Sequence, residues 1–80
     1  MTTITNIALS NMQPGEHGII QAIHAEHGLH QRLNALGFRI GKSIQVIRRA
    51  SFNGPLHVRI GATDIILRGI EAQRIQLNPA

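Results

Sequence analysis

Apolar residues along the chain follow a period of two in several short runs and a period near four in one. Over residues 17–24, Gly18, Ile20, Ala22 and His24 fall on one side and Ile19, Gln21 and Ile23 on the other. This alternation predicts a strand. From Leu29 to Leu36 the spacing changes: Leu29, Leu33 and Leu36 recur at i, i+4 and i+7, which predicts a helix with one leucine stripe against a core. Gly37 suits the left-handed position beyond the helix end, Phe38 can fold back on Leu33, and only Gly28 offers itself as an N-terminal cap. After a turn at Ile40-Gly41-Lys42, alternation returns in Ser43–Ala50, where Ile44, Val46 and Arg48 share a face. It continues in Leu56, Val58 and Ile60, beyond a hairpin signal at Phe52-Asn53-Gly54-Pro55.

The remaining pieces are shorter. Leu9 and Met12 lie three apart before Pro14-Gly15, which predicts one helical turn closed by a tight turn. Gly61-Ala62-Thr63-Asp64 turns the chain into Ile65–Arg68, Gly69–Gln73 reads as a helical turn, and Ile75-Gln76-Leu77 as a last short strand. Residues 1–6 and 78–80 read as loose ends around a single domain over 1–80 with its core at about 7–77. About five short strands and one early helix predict a mostly β fold: a small, strongly bent antiparallel barrel whose closure hides its edges. Arg48 follows the parity of Ile44 and Val46, so either its stem covers the barrel end or the strand is bulged there.

Composition narrows the function. Eighty residues make one small domain, 42 % of them hydrophobic, and the absence of cysteine removes disulfides, thiolate zinc sites and thiol catalysis. Apolar stretches of only a few residues, with no basic start followed by an apolar run, predict a soluble, intracellular protein with no membrane insertion of its own. Eight Lys and Arg against four Asp and Glu give a net charge of +4, which favours an acidic partner. Phe38 and Phe52 are the whole aromatic inventory, which argues against single-stranded nucleic acid as that partner.

Candidate chemistry is sparse. Gly37-Phe38-Arg39-Ile40-Gly41-Lys42-Ser43 has three residues where a phosphate loop needs four, and it leaves a helix for a strand instead of the reverse. His24, His27 and His30, with Glu26 among them, are the best candidate ligands for Fe(II) or another divalent metal. On one helix the outer two would stand about 120° apart, too wide for three ligands on one ion, which leaves room for a pair only. Arg32, Arg39 and Lys42 on or just after the helix form a basic edge, and Arg48, Arg49, Arg59 and Arg68 read as strand residues. Ser10, Ser43 and Ser51 lack a His-acid arrangement, and the acids Glu16, Glu26, Asp64 and Glu71 are scattered. No enzyme is expected, and no cofactor is required.

Several of these pieces occur in a familiar order. Leu9-x-x-Met12-x-Pro14-Gly15-Glu16-x-Gly18-x-Ile20 is followed by Arg32-Leu33-x-x-Leu36-Gly37-Phe38 and Gly41-x-x-Ile44-x-Val46. Then come Gly54-Pro55-Leu56-x-Val58-x-Ile60-Gly61, Ile65-x-Leu67-Arg68 and Glu71-Ala72-x-x-Ile75. The chain thereby resembles the FeoA family over about residues 7–77, with one departure: Ile40 stands where the family often has proline. The resemblance implies an SH3-like barrel and an accessory role beside FeoB, a bacterial inner-membrane ferrous iron transporter with a cytosolic GTPase domain. The expected location is cytoplasmic, at the inner membrane through that partner. The same domain type closes some metal-dependent repressors, but no winged-helix segment precedes it here, so a stand-alone repressor is not expected. The expected docking residues are Leu29, Arg32, Leu36, Arg39 and Lys42. The alternative is a metal-sensing module built on His24, His27 and His30.

Overall fold

In the computed structural model, which describes residues 6–52 and 54–79, the chain runs β1 (Ile7–Ala8), a 3₁₀ turn (Leu9–Asn11), β2 (His17–Ile23), α1 (His27–Ala35) and β3 (Ser43–Arg49). It continues through β4 (Leu56–Ile60), β5 (Thr63–Leu67), α2 (Gly69–Ala72) and β6 (Ile75–Pro79). The strands form one antiparallel sheet in the order β1-β6-β2-β3-β4-β5, curled around a single core. Mostly antiparallel architecture with one longer helix is what the alternation predicts. The sixth strand is β1, two residues long and held by Ile7 opposite Leu77, too short to show a period. Among the described residues no pairing joins β1 to β5, so the edges are not removed by closure: β1 is nearly too short to be an edge, and β5 remains one. Asn78 and Pro79, expected as a loose end, extend β6 opposite Ile19 and Gly18. The expected loose residues 1–5 and 80, and Asn53 of the hairpin signal, lie outside the described residues.

The core explains the elements. Ile20, Ile44, Val46, Val58, Leu67, Ile75 and Leu77 point inward from the strands and meet Leu9, Met12, Leu33, Phe38 and Ala72, all essentially out of solvent. Two bulges keep this inward set in phase. Register shifts between Ile20 and Ala22 against β6, and again between Val46 and Arg48 against β4. The second resolves the parity of Arg48, which is exposed because the extra residue moves it off the core face.

Helix α1 starts earlier than the leucine spacing predicts. Glu26, extended at φ −63° and ψ 166°, is the N-terminal cap residue, and Gly28 lies inside the first turn instead of capping it. The far end agrees with expectation: Phe38 N–H reaches Leu33 O at 2.9 Å and Gly37 N–H reaches Asn34 O at 3.1 Å, closing the helix in a Schellman motif. Of the stripe, only Leu33 is fully buried; Leu29 is half-buried and Leu36 exposed, so α1 lies on the barrel along a narrow seam. Two strand boundaries also differ. Thr63 and Asp64 belong to β5, because Ile60 pairs directly with Thr63 across a two-residue turn, and Arg68 is the cap residue of α2 instead of a strand residue.

Strand β2 lies between β6 and β3, and at Gly18 it is squeezed from one side. A Cβ on Gly18 would stand 2.7 Å from Asn78 O, a main-chain atom that cannot rotate away. Gly18→Ala is therefore expected to lower stability by about 1–3 kcal/mol, the usual effect of overpacking, read as a drop in the urea midpoint. An unchanged midpoint would show that the β2–β6 pair opens at no cost.

Candidate functional site

Two shallow depressions flank α1. The first, about 550 Å³, lies between α1 and α2 and is lined by Glu26, Gly28, Leu29, Arg32, Ile70, Glu71 and Arg74. Its floor is an ion pair. Glu71 is only 5 % exposed, and its Oε2 accepts from the Arg32 guanidinium while Oε1 accepts the Arg68 N–H at 2.9 Å. Burying a carboxylate this deeply costs free energy unless donors reach it, and these two do. The Arg68 N–H bond also closes the first turn of α2, so one side chain stitches α1, α2 and the end of β5 together. Arg32 therefore has a structural partner in addition to its place on the expected docking edge.

The second depression, about 360 Å³, is lined by Leu36, Gly37, Lys42, Ser43, Ile60, Gly61 and Thr63. Between Leu36 and Lys42 the chain makes a turn closed by Lys42 N–H to Arg39 O at 3.1 Å. Gly41 there has φ +93°, which a side chain would resist, and Ile40 occupies the position where type II turns favour proline. The turn is tied to β2 by Gly41 N–H to Ile20 O at 2.8 Å and Ile20 N–H to Lys42 O at 2.9 Å. Ile40 itself is 70 % exposed, and Arg39 is steadied by Nε donating to Asn34 Oδ1 at 3.0 Å.

The five expected docking residues thus divide between two places along α1 and the turn after it. Leu29 and Arg32 belong to the α1–α2 groove; Leu36, Arg39 and Lys42 gather around the 39–42 turn. Sequence reasoning passed over Ile70, Arg74 and the pairing of Glu71, whose only signal was the Glu71-Ala72 match within the family pattern. The histidines are less organised. His27 and His30 lie one turn apart on α1 and His24 precedes it, all three exposed, and among the described residues no group of three or more His, Cys, Asp or Glu side chains is gathered as a metal site.

A further charged cluster lies on the outer sheet surface. Arg59 grips Asp64 with Nε–Oδ1 at 2.6 Å and Nη2–Oδ2 at 3.1 Å, and His57 Nε2 lies 3.0 Å from Oδ2 without the direction of a well-formed hydrogen bond. The Arg59 hydrogen bonds, followed by the His57 contact, hold the Asp64 carboxyl down at about 2 from an ordinary 3.8.

A curled antiparallel sheet of six short strands with a helix inserted after β2 is the architecture of small SH3-like domains. The family comparison is specific: the FeoA domain model matches residues 7–79, and the chain belongs to the FeoA domain family. It is 29 % identical over 72 residues to a Campylobacter jejuni protein named "Putative Fe(2+) transport protein A", a match covering 90 % of this chain and 97 % of that one. A crystal structure of an iron uptake regulatory protein, FeoA, superimposes with a TM-score of 0.88 at 28 % identity, covering 95 % of this chain and all of the other. Stenotrophomonas maltophilia FeoA, described as a prokaryotic SH3 domain protein and solved with zinc, gives a TM-score of 0.75 at 27 % identity over 86 % of each chain.

Two outcomes follow from this geometry. Arg32→Ala strands the buried Glu71 carboxylate with one main-chain donor and is expected to destabilise by about 2 kcal/mol, with part of the loss recovered in Arg32→Ala/Glu71→Gln. Equal losses in single and double variants, by urea denaturation, would contradict the tie. Asp64 titrates lower in the folded chain than in the unfolded one, so its stabilising contribution is complete above pH about 4 and is lost as pH falls toward about 2. The gap in melting temperature between wild type and Asp64→Asn should therefore narrow over that window; a constant gap would refute it.

Proposed function

We propose that this chain is a non-catalytic accessory of ferrous iron uptake that docks on the cytosolic side of a FeoB-type GTPase/transporter and regulates its activity or assembly. Membership in the FeoA family and the ferrous iron transport name of the Campylobacter relative support the pathway. The observation that carries docking is the 39–42 turn: an exposed Ile40 between two cations, beside Leu36, held rigidly to β2. An apolar centre with a charged rim is how protein interfaces are built, and the cations steer an acidic partner into register. The non-catalytic reading draws support from the FeoA family membership and from the way Arg59 and Asp64 satisfy each other's charges on the outer sheet surface.

A cytoplasmic location at the inner membrane, reached through the transporter, accords with the described residues, where no helix is long and apolar enough to cross a membrane. The metal-sensing alternative rests on His27 and His30, one turn apart on an exposed helix face; two imidazoles would need further ligands from a partner to hold Fe(II). No cofactor is assigned to the chain by itself.

The test is retention of the FeoB-type transporter by the tagged protein, with and without guanine nucleotide and Fe(II). Arg39→Glu/Lys42→Glu should weaken retention by about tenfold or more with an unchanged melting temperature. Full retention by that variant overturns the docking surface. Retention that requires Fe(II) and is lost in His27→Ala/His30→Ala would instead favour the sensing module.

A further inference from the structure

Among the described residues the β3–β4 loop carries the most exposed large apolar side chain, and it lines neither of the depressions beside α1. Phe52 is 101 % exposed, meaning that no described group covers any of it, and it sits at φ +58°, where residues other than glycine are rarely found. The turn that presents it is closed by Gly54 N–H to Ser51 O at 3.1 Å and Ala50 N–H to Pro55 O at 3.0 Å. A single exposed apolar side chain is ordinary at a protein surface, so what Phe52 can do is decided by the groups around it.

Its surroundings are layered by charge. The loop sequence Ala50-Ser51-Phe52-Asn53-Gly54-Pro55 carries no ionisable side chain, and from His27 to Thr63 the chain contains no Asp or Glu at all. Cations lie at the base of the loop. Arg48 is exposed at the end of β3, and Arg68 lines a small hollow with Gly54, Pro55, Gly69 and Ile70, because the β4–β5 register that sets Leu56 opposite Leu67 brings Pro55 beside Arg68. Neither guanidinium has an acidic partner among the described residues, and Ile70 next to Arg68 is 66 % exposed.

From this layering we propose that the β3–β4 loop is a peripheral membrane contact: Phe52 inserts at the boundary of headgroups and acyl chains while Arg48 and Arg68 engage anionic lipid headgroups. A neutral apolar tip with cations set back from it matches the depth order of a bilayer surface, where apolar groups go deepest and cations remain at the phosphates. A lipid surface receives a lone protruding aromatic without a shaped socket, whereas a protein partner would need one. The contact is peripheral and reversible, and it departs from the expectation that a membrane is met only through a protein. It requires no transporter, so it stands or falls separately from the docking proposal.

The chain has no tryptophan, so Phe52→Trp introduces a single reporter at the tip. With vesicles of phosphatidylcholine containing phosphatidylglycerol, its emission should shift to the blue, and wild-type protein should co-sediment more than with phosphatidylcholine alone. Phe52→Ala should reduce co-sedimentation several-fold, and Arg48→Gln and Arg68→Gln by about fivefold each, the effect of about 1 kcal/mol per cation at an anionic surface. Melting temperatures should stay at the wild-type value, since all three side chains are exposed. The proposal is overturned if the emission of the Phe52→Trp variant is the same with and without anionic vesicles, or if Phe52→Ala sediments as well as wild type. A blue shift seen only when the transporter is present would assign the loop to a protein socket and equally overturn lipid contact.

Discussion

The carboxylate of Glu71 lies almost out of solvent in the short helix between β5 and β6, bonded to the Arg32 guanidinium of α1 and to the Arg68 main chain. Removing the Arg32 guanidinium would leave a nearly buried carboxylate with one main-chain donor, so the Glu71 side chain acts as a strut between α1 and α2. α1 buries only Leu33 completely. Its orientation on the barrel, and with it the position of the 39–42 turn that follows, depends on this polar tie in addition to packing. In a domain this small, where net stability is a few kcal/mol, one such tie is a large fraction of the whole.

Much of the strand pattern was legible because burial on one face imposes a period of two, and the Leu33–Phe38 helix end was legible because left-handed caps have a narrow chemistry. The misread points share a cause: they are set by partners distant in sequence. β1 exists because Leu77 is available opposite Ile7, and the bulge at Gln21 because β6 must match both halves of β2. Gly28 is the only residue before the leucine stripe that offers itself as a cap, yet the helix extends past it to Glu26. Leu36 looked like core by spacing alone, and the seam is too narrow to cover it.

For the site, the local part was readable and the paired part was not. Arg39 and Lys42 could be placed beside the helix end from turn chemistry, whereas the Arg32–Glu71 contact joins residues 39 apart and leaves no periodic trace. The histidines are evenly spaced in sequence but not in the fold: His24 precedes α1, which carries His27 and His30.

The domain thus presents a rigid turn on one side and an aromatic loop on another. The docking proposal sets the 39–42 turn and the end of α1 against the transporter. Amide hydrogen exchange of the protein alone and in complex with a FeoB-type transporter tests this most directly, because it maps the contact without altering a residue. New protection across Leu36–Lys42, with the β-sheet core unchanged, is the predicted result. A stable complex whose protection falls elsewhere, with Leu36–Lys42 exchanging as in the free protein, would contradict it.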